Sequence, residues 1–205
     1  MSPTPSPSPT LKPTNEPDGI IRQSEGELNR VVDFTDNQKQ EERAIRRILN
    51  MTEGDIQYRQ LHAIEEIYFV GTMTPSSLKG VEILEDGTVR VNGPAVKEGS
   101  VSNVNLIRVM PYLRNLALIK QPVTEVSGLS GLWKLHSLNL SCSRLKTLEG
   151  LSDLPSLYYL NITHTQVKDL TPLKDLQSLK TVTVSLDMLP LTMDPEAKYI
   201  VLVIQ

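Results

Sequence analysis

The stretch LYYLNITHTQVKDLTPLKDLQSL, Leu157 to Leu179, carries apolar residues at 157, 160, 162, 167, 170, 173, 176 and 179. Neither the 3.6-residue period of a helix nor the alternation of a strand gives that spacing. Twenty-two residues earlier the same slots hold Leu135, Leu138, Leu140, Leu145, Leu148, Leu151 and Leu154. One step further back they hold Leu113, Leu116, Leu118, Val123, Val126, Leu129 and Leu132. A step forward gives Leu179, Val182, Val184 and Leu189.

A fixed period with an L-x-x-L-x-L core is the signature of a leucine-rich repeat. Each unit is one short strand plus a return segment and cannot bury its apolar side alone, so stacked units share one continuous core. The expected fold class is therefore an α/β solenoid: a curved parallel β-sheet on the concave face with irregular or short helical returns. Weaker copies lie upstream, one at Ile64, Ile67 and Phe69 and one at Asp86, Val89 and Val91. The second reaches Leu113 only through an expanded return, with a helical turn expected around Val104 to Met110. At the other end YIVLVIQ puts Val201 and Ile204 in phase for a final, seventh strand. The repeats span 64–205, about six of them plus that strand.

The stretch FTDNQKQEERAIRRILNMTEGDIQYRQLHAIEEIYFVG, Phe34 to Gly71, resembles the amino-terminal helical cap that precedes internalin-like bacterial leucine-rich repeats, and the resemblance covers roughly residues 31–205. HTQVKDLTPLKDLQSL is similar to their twenty-two-residue unit. The chain departs from that pattern where an Asn usually precedes the turn, since the slot holds Gln121, Ser143 and Thr165. The resemblance implies a non-enzymatic binding module displayed on a bacterial surface.

The residues of the cap segment, 31–63, support a helix on their own. Thr35 to Gln38 fits a capping box. Ala44, Ile45, Ile48 and Leu49 form an apolar stripe, Arg46 and Arg47 suit the negative end of the helix dipole, and Gly54 stands beyond as the stop. Such a helix would cover the open edge of the first strand. Residues 1–30 differ in kind. Pro and Ser/Thr nearly alternate in SPTPSPSPTLKPTNEPDG, which cannot bury enough surface to offset ordering entropy. They read as a disordered linker or stalk, with any signal or anchor segment lying outside the given sequence.

The formal net charge of −3, with no basic block, argues against a nucleic-acid partner. No stretch approaches the apolar length of a transmembrane helix. There is no phosphate loop, no nucleophile elbow and no paired metal-ligand motif, so neither cofactor nor metal is expected. One chemical constellation remains: Lys120, Cys142 and His164 fill the same slot in three successive repeats. A flanking Lys and His would lower the thiol pKa. No third group in the sequence orients the His, so no catalytic role is assigned. Three N-x-[ST] triplets, at Asn50, Asn139 and Asn161, read as by-products of a hydroxyl-rich repeat.

The concave face is the remaining candidate. Strand alternation turns the intervening residues outward, giving Glu66, Tyr68 and Val70, then Thr88, Arg90 and Asn92, then Asn115, Ala117 and Ile119. Ser137, Asn139 and Ser141 follow, then Tyr159, Asn161 and Thr163, then Thr181, Thr183 and Ser185. From Asn115 onward this surface carries no charge. The binding residues expected on it are Tyr68, Arg90, Asn115, Ile119, Asn139, Ser141, Tyr159, Asn161, Thr163, Thr181 and Thr183. A protein ligand fits best, recognised by shape and hydrogen bonds around aromatic anchors. A carbohydrate is the alternative ligand, and an intracellular scaffold similar to leucine-rich-repeat phosphatase regulators the alternative role. The uncharged final strand is an open edge through which a second copy could pair.

Overall fold

The computed structural model describes residues 24–204, so most of the Pro/Ser/Thr-rich linker lies outside the described residues. Six strands form one parallel sheet: β1 (Glu66–Val70), β4 (Asn115–Ile119), β5 (Ser137–Asn139), β6 (Tyr159–Asn161), β7 (Thr181–Ser185) and β8 (Ile200–Ile204), adjacent in that order. The period is visible in the register, where Leu116, Leu138, Leu160 and Val182 stand side by side. Their side chains and those of the return segments make one core. Leu113, Leu135, Leu145, Leu148 and Leu157 are all fully buried in it. The returns are loops with single turns of 3-10 helix, including Ile107–Val109 inside the expected 104–110 segment.

The second expected rung is not in this sheet. β1 pairs directly with β4, and the intervening chain makes an antiparallel hairpin of β2 (Val81–Ile83) and β3 (Val89–Val91). Val89 and Val91 alternate as a rung would, but the Asp86–Gly87 turn folds the chain back on itself: Gly87 takes φ +74 and Asp86 Oδ1 accepts from the Thr88 N–H at 2.8 Å. The sheet accordingly has six strands and not seven.

The phase of the last strand is also corrected. Thr181 pairs with Ile200 and Val182 with Val201, so Ile200, Leu202 and Ile204 continue the concave rows and Val201 packs against the core, while Val203 stays exposed. The final return is shorter than the others, which moves Ile204 off the core position assigned by the twenty-two-residue period.

Before the sheet lie α1 (Glu25–Leu28), α2 (Lys39–Ile48) and α3 (Tyr58–Leu61). α1 falls inside the 1–30 segment and carries a complete capping box between Ser24 and Glu27. Ahead of α2, the Thr35 N–H and hydroxyl both donate to Gln38 Oε1 at 3.1 Å, while the Gln38 N–H goes to the Thr35 carbonyl. Ala44 and Ile45 are fully buried in the core shared with the repeats, whereas Ile48 stays 40% exposed. α2 is closed by Asn50 and not by Gly54. Asn50 takes φ +54, its N–H bonds the Arg47 carbonyl, and the Met51 N–H bonds the Arg46 carbonyl, a Schellman stop.

Two buried glutamines fasten the insertion to this frame. Gln40 Nε2 and Gln121 Nε2 donate to the Gly71 carbonyl at 2.6 and 2.7 Å. Gln40 Oε1 accepts from the Ser100 N–H, and Gln121 Oε1 from the Val101 N–H. Gln121 therefore occupies the usual Asn slot for a reason: its longer side chain reaches across to the return of the first rung. Thr165 in that slot bonds the Ile162 carbonyl at 2.7 Å.

Candidate functional site

The hairpin lies over the concave face. Val89, Val91 and Val96, with Leu78, Val81 and Ile83, pack on Val70, Ala117, Ile119, Tyr68 and Cys142 in an apolar cluster separate from the main core. Ala117 is fully buried and Ile119 is 1% exposed, so neither offers a surface to a ligand. Arg90 is exposed, but on the hairpin rather than on a rung. The signal was present in the sequence. Val70, Ala117 and Ile119 make the outward positions of the first rungs apolar, which fits a covered face.

Tyr68 is half-buried beneath the same cover and its hydroxyl donates to Glu66 Oε2 at 2.8 Å. Burial, then the Glu66 carboxylate, pushes its pKa up to about 12. Glu66 Oε1 accepts from Asn115 Nδ2 at 2.6 Å. A groove of about 300 Å³ between α2 and the entry of β1 is lined by Arg47, Ile48, Glu65, Glu66, Ile67, Tyr68, Pro75 and Ser76. Glu66 is already engaged there and the lining mixes both signs of charge, so the groove is not assigned a ligand.

The column of Lys120, Cys142 and His164 has a conformational cause. All three sit in the left-handed region, at φ 54, 56 and 53, and Gly71 at φ 52 fills the same slot after β1. Each turns the chain from strand into return segment while its N–H bonds the next rung: Lys120 to the Ser141 carbonyl, Cys142 to the Thr163 carbonyl, His164 to Ser185 Oγ. Asp187 Oδ1 does lie 3.6 Å from His164 Nδ1, a third group that sequence spacing did not reveal. The thiol is nevertheless the wrong kind for a nucleophile. Cys142 sits under the hairpin tip, donates to the Gly87 carbonyl at 3.6 Å, and burial pushes its pKa up to about 11 despite Lys120.

Beyond the hairpin the concave face is open. Tyr159 is 48% exposed, and Asn139, Asn161, Thr181 and Thr183 are half-exposed. Asn139 Oδ1 accepts from the Ser141 N–H at 3.0 Å and its hydroxyl at 2.6 Å; Asn161 Oδ1 accepts from the Thr163 N–H at 3.0 Å. This local turn is why Asn-x-Ser/Thr recurs at the rung exits. It buries Ser141 and Thr163 completely, so these two expected contacts lie beneath the surface. Sequence phasing missed Ile200 and Leu202, which continue the Tyr159 and Asn161 rows and are 65% and 48% exposed.

Among the described residues no cluster of three His, Cys, Asp or Glu could hold a metal, and no helix is long and apolar enough to cross a membrane. A family model described as Leucine Rich repeats (2 copies) matches residues 133–175. No curated protein matches the sequence. Among solved structures, the chain is similar to an internalin (inlF) from Listeria monocytogenes, with 20% identity and a TM-score of 0.43. That match covers 78% of this chain but 52% of the internalin, so the chain spans about half of its length. An internalin C2 (inlC2) of the same organism matches at 20% identity and TM-score 0.44, over 79% of this chain and 91% of that one. The matched copies coincide with rungs whose register is seen directly in the sheet, and the chain has the leucine-rich-repeat fold, one suited to protein–protein interaction.

Proposed function

We propose that this protein is a non-enzymatic binding module that holds a protein ligand on the open, carboxy-terminal part of its concave sheet. The observation that carries this reading is the contrast across one face. The hairpin occupies the exit side of the first rungs, while Tyr159, Asn161, Thr181, Thr183, Ile200 and Leu202 remain uncovered. Tyr159 supplies a rigid amphipathic anchor, and the Asn139 and Asn161 side chains are oriented by their own backbone turns. Extended partners commonly lie along such repeated surfaces. Display on a cell surface through the Pro/Ser/Thr-rich residues 1–30 belongs to the same reading, supported by their composition.

The test begins with pull-down against cell-surface proteins and a glycan array. Once a ligand is in hand, Tyr159→Ala should weaken it by about 2 kcal/mol, the ordinary scale of an aromatic anchor. An affinity unchanged in the Tyr159→Ala, Asn161→Ala double variant would overturn the assignment to this face. Capture by glycans alone would favour the carbohydrate alternative.

A further inference from the structure

The concave rows are uncharged past β1, but the row beside them is not. At the entry of the first five rungs, immediately before the concave residues, stand Glu65, Arg114, His136, Tyr158 and Lys180, tied in sequence through their backbones. Arg114 pairs with Glu65 at 3.4 Å. Past that pair the row holds only cations and rings. Among the described residues no carboxylate pairs with His136, Lys180 or the neighbouring Lys134. Lys134 Nζ is held 4.1 Å above the Tyr112 ring and 4.6 Å from the Trp133 ring, which fixes the cation without neutralising it.

The rings are organised as well. His136 stacks on Tyr158 at 5.1 Å and 20°, and Tyr159 meets Tyr158 edge-on at 4.5 Å. A chain with 4% aromatic residues thus places Tyr112, Trp133, Tyr158 and Tyr159 along one entry rim. These rings restrain one another before any partner arrives, which lowers the ordering cost of binding.

We infer that this entry rim selects an acidic polypeptide: a segment whose carboxylates meet Lys134, His136 and Lys180 and whose apolar side chains rest on Tyr158 and Tyr159. This deepens the concave-face reading and rests on it, because Tyr159 belongs to both surfaces. The rim supplies the charge selection that the uncharged rungs lack. Lys134 and His136 stand before β5 and Lys180 before β7, and the Tyr158 ring fills the β6 position between them, on strands about 4.8 Å apart. That spacing suits alternating carboxylate and apolar side chains better than the dense, uniform charge of a sulfated polysaccharide.

The probe is a short labelled peptide of alternating glutamate and leucine, followed by anisotropy and by the emission of Trp133, the chain's single tryptophan. The expected result is binding that weakens with salt, is absent for the matching lysine–leucine peptide, and perturbs Trp133. Lys134→Glu combined with Lys180→Glu should weaken it at least about tenfold, since like charges then face each other. Thr183→Lys, on an open rung away from the rim, separates the two readings. If it blocks a captured protein ligand while the double reversal does not, the rim inference fails and the concave assignment stands. If only the double reversal matters, the rim stands and the concave assignment fails. No peptide binding, binding indifferent to salt, or equal binding of a heparin oligosaccharide overturns the acidic-polypeptide inference.

Discussion

Rungs β4 and β6 are two turns of the same ladder, yet their concave sides behave oppositely. In β4 the outward residues Ala117 and Ile119 are buried under a hairpin; in β6 Tyr159 is half in solvent and Asn161 half-exposed. The inward residues Leu116 and Leu160 are equivalent, at 2% and 1% exposure. The inward ladder fixes the architecture, and the outward residues decide whether a rung is structural or available. On β4 the apolar outward residues are buried under a cover, whereas on β6 the polar ones stay open to a partner.

Mutation can break that contrast. The largest effect expected is Ile119→Ala, which opens a cavity beneath the hairpin and should cost about 3 kcal/mol of stability in denaturant titration. A loss under about 1 kcal/mol would mean that the cover is not packed in solution. Tyr159→Ala should do the reverse, changing stability by less than about 0.5 kcal/mol while removing about 2 kcal/mol of ligand binding. Lys120→Gly should stabilise the protein by about 1 kcal/mol, since it relieves left-handed strain where Gly71 already carries a glycine. Thermal unfolding would read the sign. Glu98→Ala removes the two-point contact with Arg144, at 3.0 and 2.6 Å, which ties the end of the insertion to the β5 return. Both partners are well exposed, so about 0.5 kcal/mol is expected.

A gradual effect completes the series. The Tyr68 phenol ionises near pH 10 in the unfolded chain and near 12 in the folded one, and Cys142 is raised in the same sense. Unfolding then releases protons at high pH. Stability contributed by these groups should be intact below pH 9 and fall as pH rises toward 12, with the first rungs loosening before β6 and β7 in amide exchange.

Strands β4 to β7 were legible in the sequence because their leucines repeat in unbroken phase, and burial leaves such positions little freedom. The hairpin was hidden because Val89 and Val91 alternate as a rung does; tertiary contact with Ala117 and Ile119, not local pattern, decides which sheet they join. The entry rim was hidden for another reason. Arg114, His136, Tyr158 and Lys180 share no residue type, so only the register of the folded sheet aligns them. The buried state of Ser141 and Thr163 likewise follows from side-chain turns at Asn139 and Asn161 that alternation alone does not encode.

The placement of Cys142 behind Gly87 gives the molecule an internal clock. It is the only thiol in the chain, it is half-buried beside the hairpin tip, and a reagent added under native conditions reaches it more readily when that tip lifts. Burial also raises the thiol pKa, which keeps the closed form mostly protonated and slows its reaction. The labelling rate should therefore rise with opening of the cover, separately from unfolding of the whole solenoid. A protein partner that grips both the hairpin and the open rungs would stop that clock, and one that displaces the hairpin would make it run fast.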